Sequence, residues 1–367
     1  MSEELSRESR LASRHRVLGS GLEDWNGMGV AWSYDSNPED EHDAIREAAG
    51  LFDVSALKKV HIRGKDAEDV VDHIMTRNMR EIYTGKSAYG PVLNDDGMIC
   101  DDAIIANNGD NWFMVYGTGE SYERLEESIV GKNVDIEFDD DMHDLSLQGP
   151  KSVDFLNAHT PMNLHSLQYF HQQETEIFGH KCMISRTGYS GERGYEIFVG
   201  ADGVADVWDS ILDLGKEEGI VPCSFAALDK VRVEAALLFY GYDMTTENTP
   251  WEVGLGWAVS RKKGDFRGKE KVFTSEGKEK INFISLNVEH NEALEGGELI
   301  SINGEAVGVV NSPVWSHRMN TSLALGHIDP RHSAKGTKVR ISSNTVDTTA
   351  VITELPIYDP QKTRPHA

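Results

Sequence analysis

Residues 93–105 limit most strongly what this chain can fold into. Residues 94–97 are turn-forming, and the apolar residues 103–105 predict a strand with little solvated face. Asp101 and Asp102 stand at the start of that strand. Because consecutive side chains of a strand point to opposite faces, only one of the two can face the interior. An unpaired carboxylate there is costly, so its presence calls for a partner or a function.

A second stretch, residues 187–197, combines three glycines with two tyrosines. Glycine lets the backbone approach a flat ligand closely, and tyrosine adds aromatic surface. Glu196 follows in a strand of apolar residues, where a buried glutamate needs a partner. Arg186 or Arg193 is one candidate, and the other is a ligand with an amide-plus-amine edge, such as a pterin ring. The pattern leaves both interpretations open.

The charge of the chain excludes several classes of partner. The chain has 367 residues and a formal net charge of −25, whereas nucleic-acid binding depends on basic residues that release counterions. The same charge disfavours anionic membranes and acidic proteins. We therefore expect neither nucleic acid nor membrane among the partners.

Cysteine usage favours a reduced, cytoplasmic compartment, because Cys100, Cys182 and Cys223 lie far apart and form no CxxC pair. The first residues lack the apolar core of a secretory signal, and no run approaches the roughly 20 apolar residues of a membrane span.

The acidic residues between 139 and 144 lack the spacing of a calcium loop. We predict a solvated loop there and no metal site.

The pattern of the chain changes near residue 280. Before it, the sequence predicts a helix from residue 224 to about 239 and a strand over 250–257. Beyond a charged, glycine-dotted segment, short strands recur around a hairpin turn at Asn303-Gly304, which predicts a small antiparallel barrel or sandwich. These strands cover residues 281–288, 299–302, 305–310, 322–328, 338–342 and 349–354.

Aromatic residues stand out in the polar stretch at the start of the chain, namely Trp25, Trp32 and Tyr34. One interpretation is that they pack an irregular arm against the rest of the protein. The other is that they line a pocket. Composition alone does not choose between the two.

Short motifs along nearly the whole chain resemble the folate-binding family typified by the T-protein, the aminomethyltransferase of the glycine cleavage system. Relatives of that protein include folate-dependent demethylases of sulfonium and methoxyaryl compounds. No single motif is decisive, but many occur in the family's order. The matching residues are Phe52-Asp53-Val54-Ser55, Tyr89 followed by Leu93-Asn94, Gly97 with Asp101-Asp102, Gln148-Gly149-Pro150, Thr187-Gly188-Tyr189-Ser190-Gly191-Glu192, Gly194-Tyr195-Glu196-Ile197, Arg232 with Glu234-Ala235, Tyr240-Gly241 and Gly254-Leu255-Gly256-Trp257.

The resemblance implies an α+β fold in which two interleaved folate-binding subdomains surround a central cavity, followed by a C-terminal antiparallel β-barrel. On this basis we expect the folate-binding region to span residues 1–278 and the barrel residues 279–367. The resemblance also implies an enzyme that loads a one-carbon unit onto tetrahydrofolate.

The resemblance further assigns roles to single residues. Asp101 matches the family's essential carboxylate beside the reactive folate nitrogens, which leaves Asp102 a structural role. A buried carboxylate near N5 can stabilise positive charge and accept a proton as that nitrogen is alkylated. The expected folate-binding residues are Glu196 at the amide edge of the pterin, Tyr189 and Tyr89 in the cavity, and Arg232 near the folate tail.

Departures from the T-protein pattern favour one branch of the family. Ala106, Gly117 and Leu228 stand where T-proteins usually have Tyr, Asn and Arg. A T-protein must also dock an acidic lipoyl carrier protein, which a strongly acidic chain would repel. We therefore expect a demethylase that moves a methyl group from a small methylated onium or methoxy compound to N5 of tetrahydrofolate. The alternatives are an aminomethyltransferase with a lipoyl carrier partner and a non-catalytic folate-binding protein of the same fold.

Overall fold

The computed structural model describes residues 6–367. None of the helices in that range is long and apolar enough to cross a membrane. The α-helices are α1 (Ala12–Val17), α2 (Pro38–Glu47), α3 (Ala67–Ile74), α4 (Ser121–Ser128), α5 (Ser152–His159), α6 (Val204–Gly215), α7 (Phe225–Glu234) and α8 (Lys269–Ser275). The strands are β1 (Glu23–Trp25), β2 (Met28–Val30), β3 (Ala49–Asp53), β4 (Lys58–Arg63), β5 (Lys86–Leu93), β6 (Ile99–Asn107), β7 (Trp112–Tyr116), β8 (Asp135–Phe138), β9 (Met142–Gln148), β10 (Gln172–Ile177), β11 (His180–Ser185), β12 (Gly194–Gly200), β13 (Ile220–Pro222), β14 (Asn282–Val288), β15 (Leu299–Ile302), β16 (Glu305–Ser316), β17 (Thr321–Ile328), β18 (Lys338–Ser342) and β19 (Asp347–Ile352).

Two sheets form the first part of the protein, and the chain passes from one to the other and back. One has six strands in the order β10-β11-β12-β9-β3-β13, and the other has five in the order β5-β6-β7-β4-β8. After β3 the chain builds the whole five-stranded sheet, and β9 then returns to pair with β3. The predicted α+β fold with two interleaved subdomains is confirmed.

Helices cover the outer face of each sheet. α5 and α6 pack apolar side chains, among them Phe155 and Trp208, onto the six-stranded sheet. α3 and α4 do the same on the five-stranded sheet, where Val71 and Leu125 are fully buried. Apolar burial is the main favourable term in folding. These two outer cores leave the inner faces of the sheets opposed to each other.

The C-terminal strands close into an antiparallel barrel in the order β14-β17-β16-β15-β18-β19, and β14 also pairs with β19. The expected hairpin joins β15 to β16. Its Asn303 and Gly304 have φ values of 53° and 84°, as a two-residue type I′ turn requires. Aliphatic side chains such as Leu286 and Ile341 fill the interior. The prediction of a C-terminal antiparallel β-barrel is confirmed.

Two local predictions are wrong. α7 ends at Glu234 instead of near residue 239, because Ala236 has a left-handed backbone (φ 52°) that an α-helix cannot continue through. Residues 250–257 form turns and the start of a 3-10 helix (Gly256–Ala258) rather than a strand, and Gly254, with φ 75°, interrupts any extended run. In both places a left-handed residue ends the regular structure that the composition favours.

A buried ionic contact joins the barrel to the first part of the protein. Glu234 at the end of α7 accepts hydrogen bonds from Arg46 of α2 and from the Ser316 hydroxyl of β16, both at 2.6 Å. His42 contacts the same carboxylate at 3.0 Å. Although burial opposes it, hydrogen bonding from His42 and the charge of Arg46 lower the pKa of Glu234 to about 2. The contact thus fixes the barrel against α2 and α7.

Candidate active site between the two sheets

The inner faces of the two sheets meet through a small apolar cluster. Ala106 and Phe113 come from the five-stranded sheet, and Met183 and Phe198 from the six-stranded sheet. The rings of Phe113 and Phe198 contact edge to face, with centroids 5.3 Å apart. Beside this cluster the same two faces carry charged side chains, which make up the candidate site.

Asp101 lies on β6 but points away from the space between the sheets. It pairs opposite Val92, whose side chain belongs to the core beneath α3 and α4. Its Oδ2 accepts a hydrogen bond from the backbone N–H of Ser121, the first residue of α4, at 3.2 Å. A carboxylate is stabilising at a helix N-terminus. Position 119 needs glycine here, because a Cβ on Gly119 would lie 2.5 Å from the Asp101 carboxyl carbon.

Asp102 faces the space between the sheets. Two residues further along the same face of β6, Ile104 pairs with Tyr89, and the Tyr89 hydroxyl lies close enough to the Asp102 carboxyl to act on its pKa. The expectation that Asp101 is the cavity-facing member of the pair is therefore corrected. The register of β5 and β6 shifts at Cys100, a β-bulge that sets the face of every residue after it.

The two neighbouring carboxyls titrate close to neutral pH. Burial is the main cause that raises the pKa of Asp102 to about 7, and the charge of Asp101 adds to it, while the hydrogen bond from Tyr89 opposes it. Burial raises the pKa of Asp101 to about 6, against the hydrogen bonds from Ser121. Because the Asp101 charge disfavours ionisation of Asp102, the protonation of the two neighbouring carboxyls is linked in this range.

Tyr189 borders the same space from the glycine-rich stretch before β12. Its hydroxyl donates a hydrogen bond to the carbonyl of Leu238 at 2.6 Å, which ties that stretch to the chain after α7. Burial raises the pKa of Tyr189 well above its usual value, and the charges of Asp102 and Arg232 are close enough to act on it. The structure therefore brings Tyr89, Asp102 and Tyr189 together.

Arg232 lies beside Tyr189 and is fully engaged by the protein. Its guanidinium donates to Asp229 at 2.7 Å, to Asp243 at 2.5 Å and to the Ser312 hydroxyl at 3.0 Å. Two carboxylates therefore outweigh its positive charge. Binding of a folate tail at Arg232 stays a prediction, and the arrangement favours a positioning role over direct charge pairing.

Glu196 faces the space from the opposite side, on β12. The Thr187 hydroxyl donates a hydrogen bond to one of its carboxylate oxygens, and the other oxygen has no donor within residues 6–367. Neither arginine considered from the sequence pairs with it: Arg186 donates to backbone carbonyls, and Arg193 donates to the Tyr195 hydroxyl. Burial raises the pKa of Glu196. A carboxylate with one unfilled oxygen in an enclosed space suits an amide-plus-amine edge.

Sequence reasoning missed Asp144, which lies near Glu196, and Lys59, which lies near Asp144. Both are 0% exposed, and neither oxygen of Asp144 has a hydrogen-bond partner in the described chain. The Lys59 ammonium donates to the Ser55 carbonyl at 2.7 Å. Burial, with the charge of Glu196, raises the pKa of Asp144 well above its usual value, and burial lowers the pKa of Lys59 to about 8.

The prediction of a solvated acidic loop over residues 139–144 is confirmed for only part of that segment. Asp139 and Asp140 are partly exposed and contact His61 and Arg7, whereas Asp144 belongs to the buried strand β9. Alternation with the apolar residues that follow it was the signal that places Asp144 in a strand. Within residues 6–367, no group of His, Cys, Asp or Glu side chains is arranged to hold a metal ion.

Four of the charged or aromatic groups are enclosed and yet accessible. Burial dominates the pKa shifts of all four, but each retains part of its solvent-accessible surface. Because these side chains face the space between the two sheets, their remaining accessible surface marks a cavity there. The groups are Tyr89, Asp102, Tyr189 and Glu196, so the cavity has Asp102 with Tyr89 at one side and Glu196, here called the carboxylate clamp, at the other.

Comparison with known families and proteins agrees with this architecture. The GCVT N-terminal domain matches residues 11–263, and the glycine cleavage T-protein C-terminal barrel domain matches residues 282–359. The heme-dependent oxidative N-demethylase gamma subunit of Ectopseudomonas mendocina is 44% identical, over 97% of each chain. The aminomethyltransferase of Bacillus subtilis is 33% identical, over 94% of this chain and 97% of its own.

A solved structure shows the same fold. The glycine cleavage system aminomethyltransferase T from Bartonella henselae superposes with a TM-score of 0.90, covering 97% of this chain and 99% of its own at 24% identity. Members of this family bind tetrahydrofolate. The chain therefore belongs to the GCVT family, that of the glycine cleavage T-protein, and is an enzyme of the transferase and demethylase types found there.

Proposed function

We propose that this protein is a tetrahydrofolate-dependent one-carbon transferase whose donor is a small methylated amine. The observation that carries the proposal is the Asp102 carboxyl, enclosed between the sheets beside Tyr89, with its pKa raised to about 7. A general base works best when its pKa lies near the operating pH. The space between the sheets is the proposed tetrahydrofolate site.

When bound, tetrahydrofolate would supply the nucleophile, nitrogen N5. A donor in its protonated or quaternary ammonium form would pass its methyl carbon to that nitrogen, keep the bonding electron pair and leave as a neutral amine. Ionised Asp102 accepts the proton that this nitrogen gives up and stabilises the positive charge that develops there. Tyr89 lies beside the same carboxylate and is placed to donate a hydrogen bond to it. The transfer needs no oxidant.

The opposite side of the cavity holds the acceptor in place. Glu196, oriented by Thr187, binds the amide-plus-amine edge of the pterin, and Tyr189 adds aromatic surface at the cavity wall. The two sheets exclude water from the reacting atoms. Orientation in such a closed site is worth up to roughly 7–11 kcal/mol of the reaction's activation free energy when the groups are well aligned.

The relative from Ectopseudomonas mendocina supports nitrogen as the donor atom, because its name specifies N-demethylation. That protein is also named as a subunit, so we propose that the present chain works beside other subunits. Its name contains the word oxidative as well, which supports a variant in which the carbon arrives at the oxidation level of formaldehyde.

Product analysis tests the proposal. The purified protein is incubated with tetrahydrofolate and, separately, with dimethylamine, trimethylamine, a methoxyaromatic compound, and formaldehyde. We expect 5-methyltetrahydrofolate from a methylated amine. Accelerated formation of 5,10-methylenetetrahydrofolate from formaldehyde, with no reaction of the amines, would instead assign the oxidised variant. Reaction of the methoxyaromatic compound alone would refute an amine donor.

Aminomethyl transfer is the second candidate, favoured by the aminomethyltransferases of Bacillus subtilis and Streptomyces coelicolor, the latter 29% identical over 99% of this chain. It uses the same Asp102 and Glu196 but requires an aminomethylated lipoyl carrier. Release of ammonia with formation of 5,10-methylenetetrahydrofolate from that carrier, and from no free amine, would establish it.

A further inference from the structure

The hairpin of β1 and β2 lies against the end of β7. The Asn26 side-chain amide donates to the carbonyls of Gly117, at 3.1 Å, and Ala56, at 3.2 Å. Beside it, the Trp25 ring comes within 4.0 Å of the place that a Cβ on Gly117 would occupy, and no other atom lies as near. Gly117 thus leaves a gap that Trp25 closes on one side.

This gap is next to the Asp102 carboxyl. β6 and β7 are antiparallel, and the last pair of their ladder joins Ala103 to Tyr116. The next residues on each chain are Asp102 and Gly117, which therefore lie side by side on the cavity face. Cross-strand neighbours have Cβ atoms about 4.5–5.5 Å apart. Trp25, the gap and Asp102 consequently form one small compartment.

The compartment is aromatic on the side of Trp25. Its ring centroid lies 5.6 Å from that of Phe225 and 6.0 Å from that of Phe239. Trp25 and Tyr189 both pack against the apolar cluster that contains Phe225. Aromatic faces carry negative quadrupole potential and attract organic cations, tryptophan most strongly.

The charges around the compartment favour a cation as well. Asp102 supplies a carboxylate at one side. Arg7, a cationic side chain that contacts the hairpin, donates to the Asn26 carbonyl at 3.0 Å and is paired with Asp140, with Nε to Oδ1 at 2.8 Å. Its charge is therefore already neutralised. A small cation held against Trp25 would meet a carboxylate and no unpaired positive group among these residues.

We infer that Trp25, Asp102 and the gap at Gly117 form the donor subsite and that it selects a small methylated ammonium cation. The inference rests on the proposed function, because it places the donor beside the proposed catalytic carboxylate. For Trp25 it favours the second interpretation of the N-terminal aromatic residues, that of lining a pocket. The absence of a side chain at position 117 is what makes room for the methyl groups.

Equilibrium binding tests the inference without any turnover. The full-length protein is titrated calorimetrically with trimethylammonium chloride and with tert-butyl alcohol, a neutral molecule of similar shape, at constant ionic strength. We expect the cation to bind and the alcohol to bind at least tenfold more weakly. Equal affinity for the two, or no binding of the cation, would overturn the inference.

Two variants locate the site. Trp25→Leu should weaken trimethylammonium binding about 2- to 30-fold, the range that cation–π energies correspond to. Trp32→Leu is the matched control, because Trp32 is 44% exposed, contacts Phe225 at 6.4 Å and lies outside the compartment. Unchanged affinity in Trp25→Leu, or an equal loss in Trp32→Leu, would remove Trp25 from the subsite.

Gly117→Asn fills the gap and keeps the test decisive should Trp25→Leu fail to fold. Gly117 has no backbone conformation reserved for glycine, and a Cβ there meets Trp25 at an ordinary contact distance. We expect at least a tenfold loss of trimethylammonium affinity with tetrahydrofolate affinity unchanged; retained cation affinity would overturn the inference. Failure of the proposed function looks different, because wild-type protein would then fail to bind tetrahydrofolate or to form its one-carbon product.

Discussion

The interior of the C-terminal barrel and the space between the two sheets are both enclosed, but they contain opposite kinds of residue. The barrel interior is filled by aliphatic side chains such as Leu286, Ile300 and Ile341, all 0% exposed. The inter-sheet space holds carboxyl groups, among them Asp102 and Glu196, whose pKa values are raised by burial.

This difference separates the residues that stabilise the fold from the residues that can take part in catalysis. Apolar burial stabilises at roughly 25 cal/mol per Å², whereas an enclosed carboxylate destabilises unless something compensates it. The barrel and the two outer cores therefore stabilise the fold, and the cavity retains groups that are unfavourable for stability. Substitutions in the two regions should accordingly change different measured quantities.

The largest expected effect is that of Asp102→Asn on turnover. The variant removes the proton acceptor but keeps its shape, so turnover should fall by at least roughly 10²-fold, while tetrahydrofolate affinity changes little. Folding raises the pKa of Asp102, so its ionisation lowers stability as pH rises through about 7. The melting temperature at pH 8 should therefore equal or exceed that of the wild type.

Asp101→Asn is the matched control for that experiment, because it makes the same chemical change on the neighbouring residue that faces the other way. We expect turnover within tenfold of the wild type in its folded fraction. If Asp101→Asn were inactive and Asp102→Asn active, the assigned orientation of the pair would be refuted.

Leu286→Ala should act on the barrel side of the comparison. Removing a fully buried leucine side chain should lower the free energy of unfolding by about 2–5 kcal/mol. Chemical denaturation measures this loss, and turnover per folded molecule should stay at the wild-type value. A large drop in turnover with unchanged stability would mean that the barrel interior takes part in the chemistry.

Glu196→Gln should weaken tetrahydrofolate binding by roughly 1.5–3 kcal/mol, the range for a hydrogen bond to a charged group. The amide turns one acceptor of the clamp into a donor. Calorimetric titration with tetrahydrofolate measures the change, and Glu174→Gln on the exposed part of β10 is the control. Wild-type affinity in Glu196→Gln would exclude this carboxylate from the clamp.

The smallest expected effect is a shift of the pH profile. Turnover should fall about tenfold for each pH unit below about 6 to 7, as the carboxyl pair takes up a proton. The charge of Asp101 raises the pKa of Asp102, so Asp101→Asn should move this acidic limb to lower pH. A limb at the same pH in both proteins would show that the two carboxyls do not interact.

The architecture was predictable from the sequence because its signals are local. Strand alternation after residue 280 and the Asn303-Gly304 turn predict an antiparallel barrel, and the structure has one. The end of α7 was not predictable, because Ala236 adopts a left-handed conformation that no intrinsic preference of alanine indicates. There the tertiary structure overrides helix propensity.

The site was predictable in part. Alternation shows that Asp101 and Asp102 face opposite ways, but Ala103 and Ile104 are both apolar, so the pattern does not distinguish the face toward the helices from the face toward the other sheet. The bulge at Cys100 and the contact with α4 decide it. Asp144 was missed because a run of exposed carboxylates precedes it.

The pairing of β9 with β3 also determines when β3 can become buried as the chain is synthesised. β3 pairs with β9 and with β13, both translated long after it. Its Ala49, Leu51 and Phe52 are fully buried in the finished protein. During synthesis these residues stay exposed while the entire five-stranded sheet assembles, and unpaired apolar strands of this kind aggregate readily. We therefore expect a nascent chain that ends before β9 to bind chaperones, and release from them to require β9.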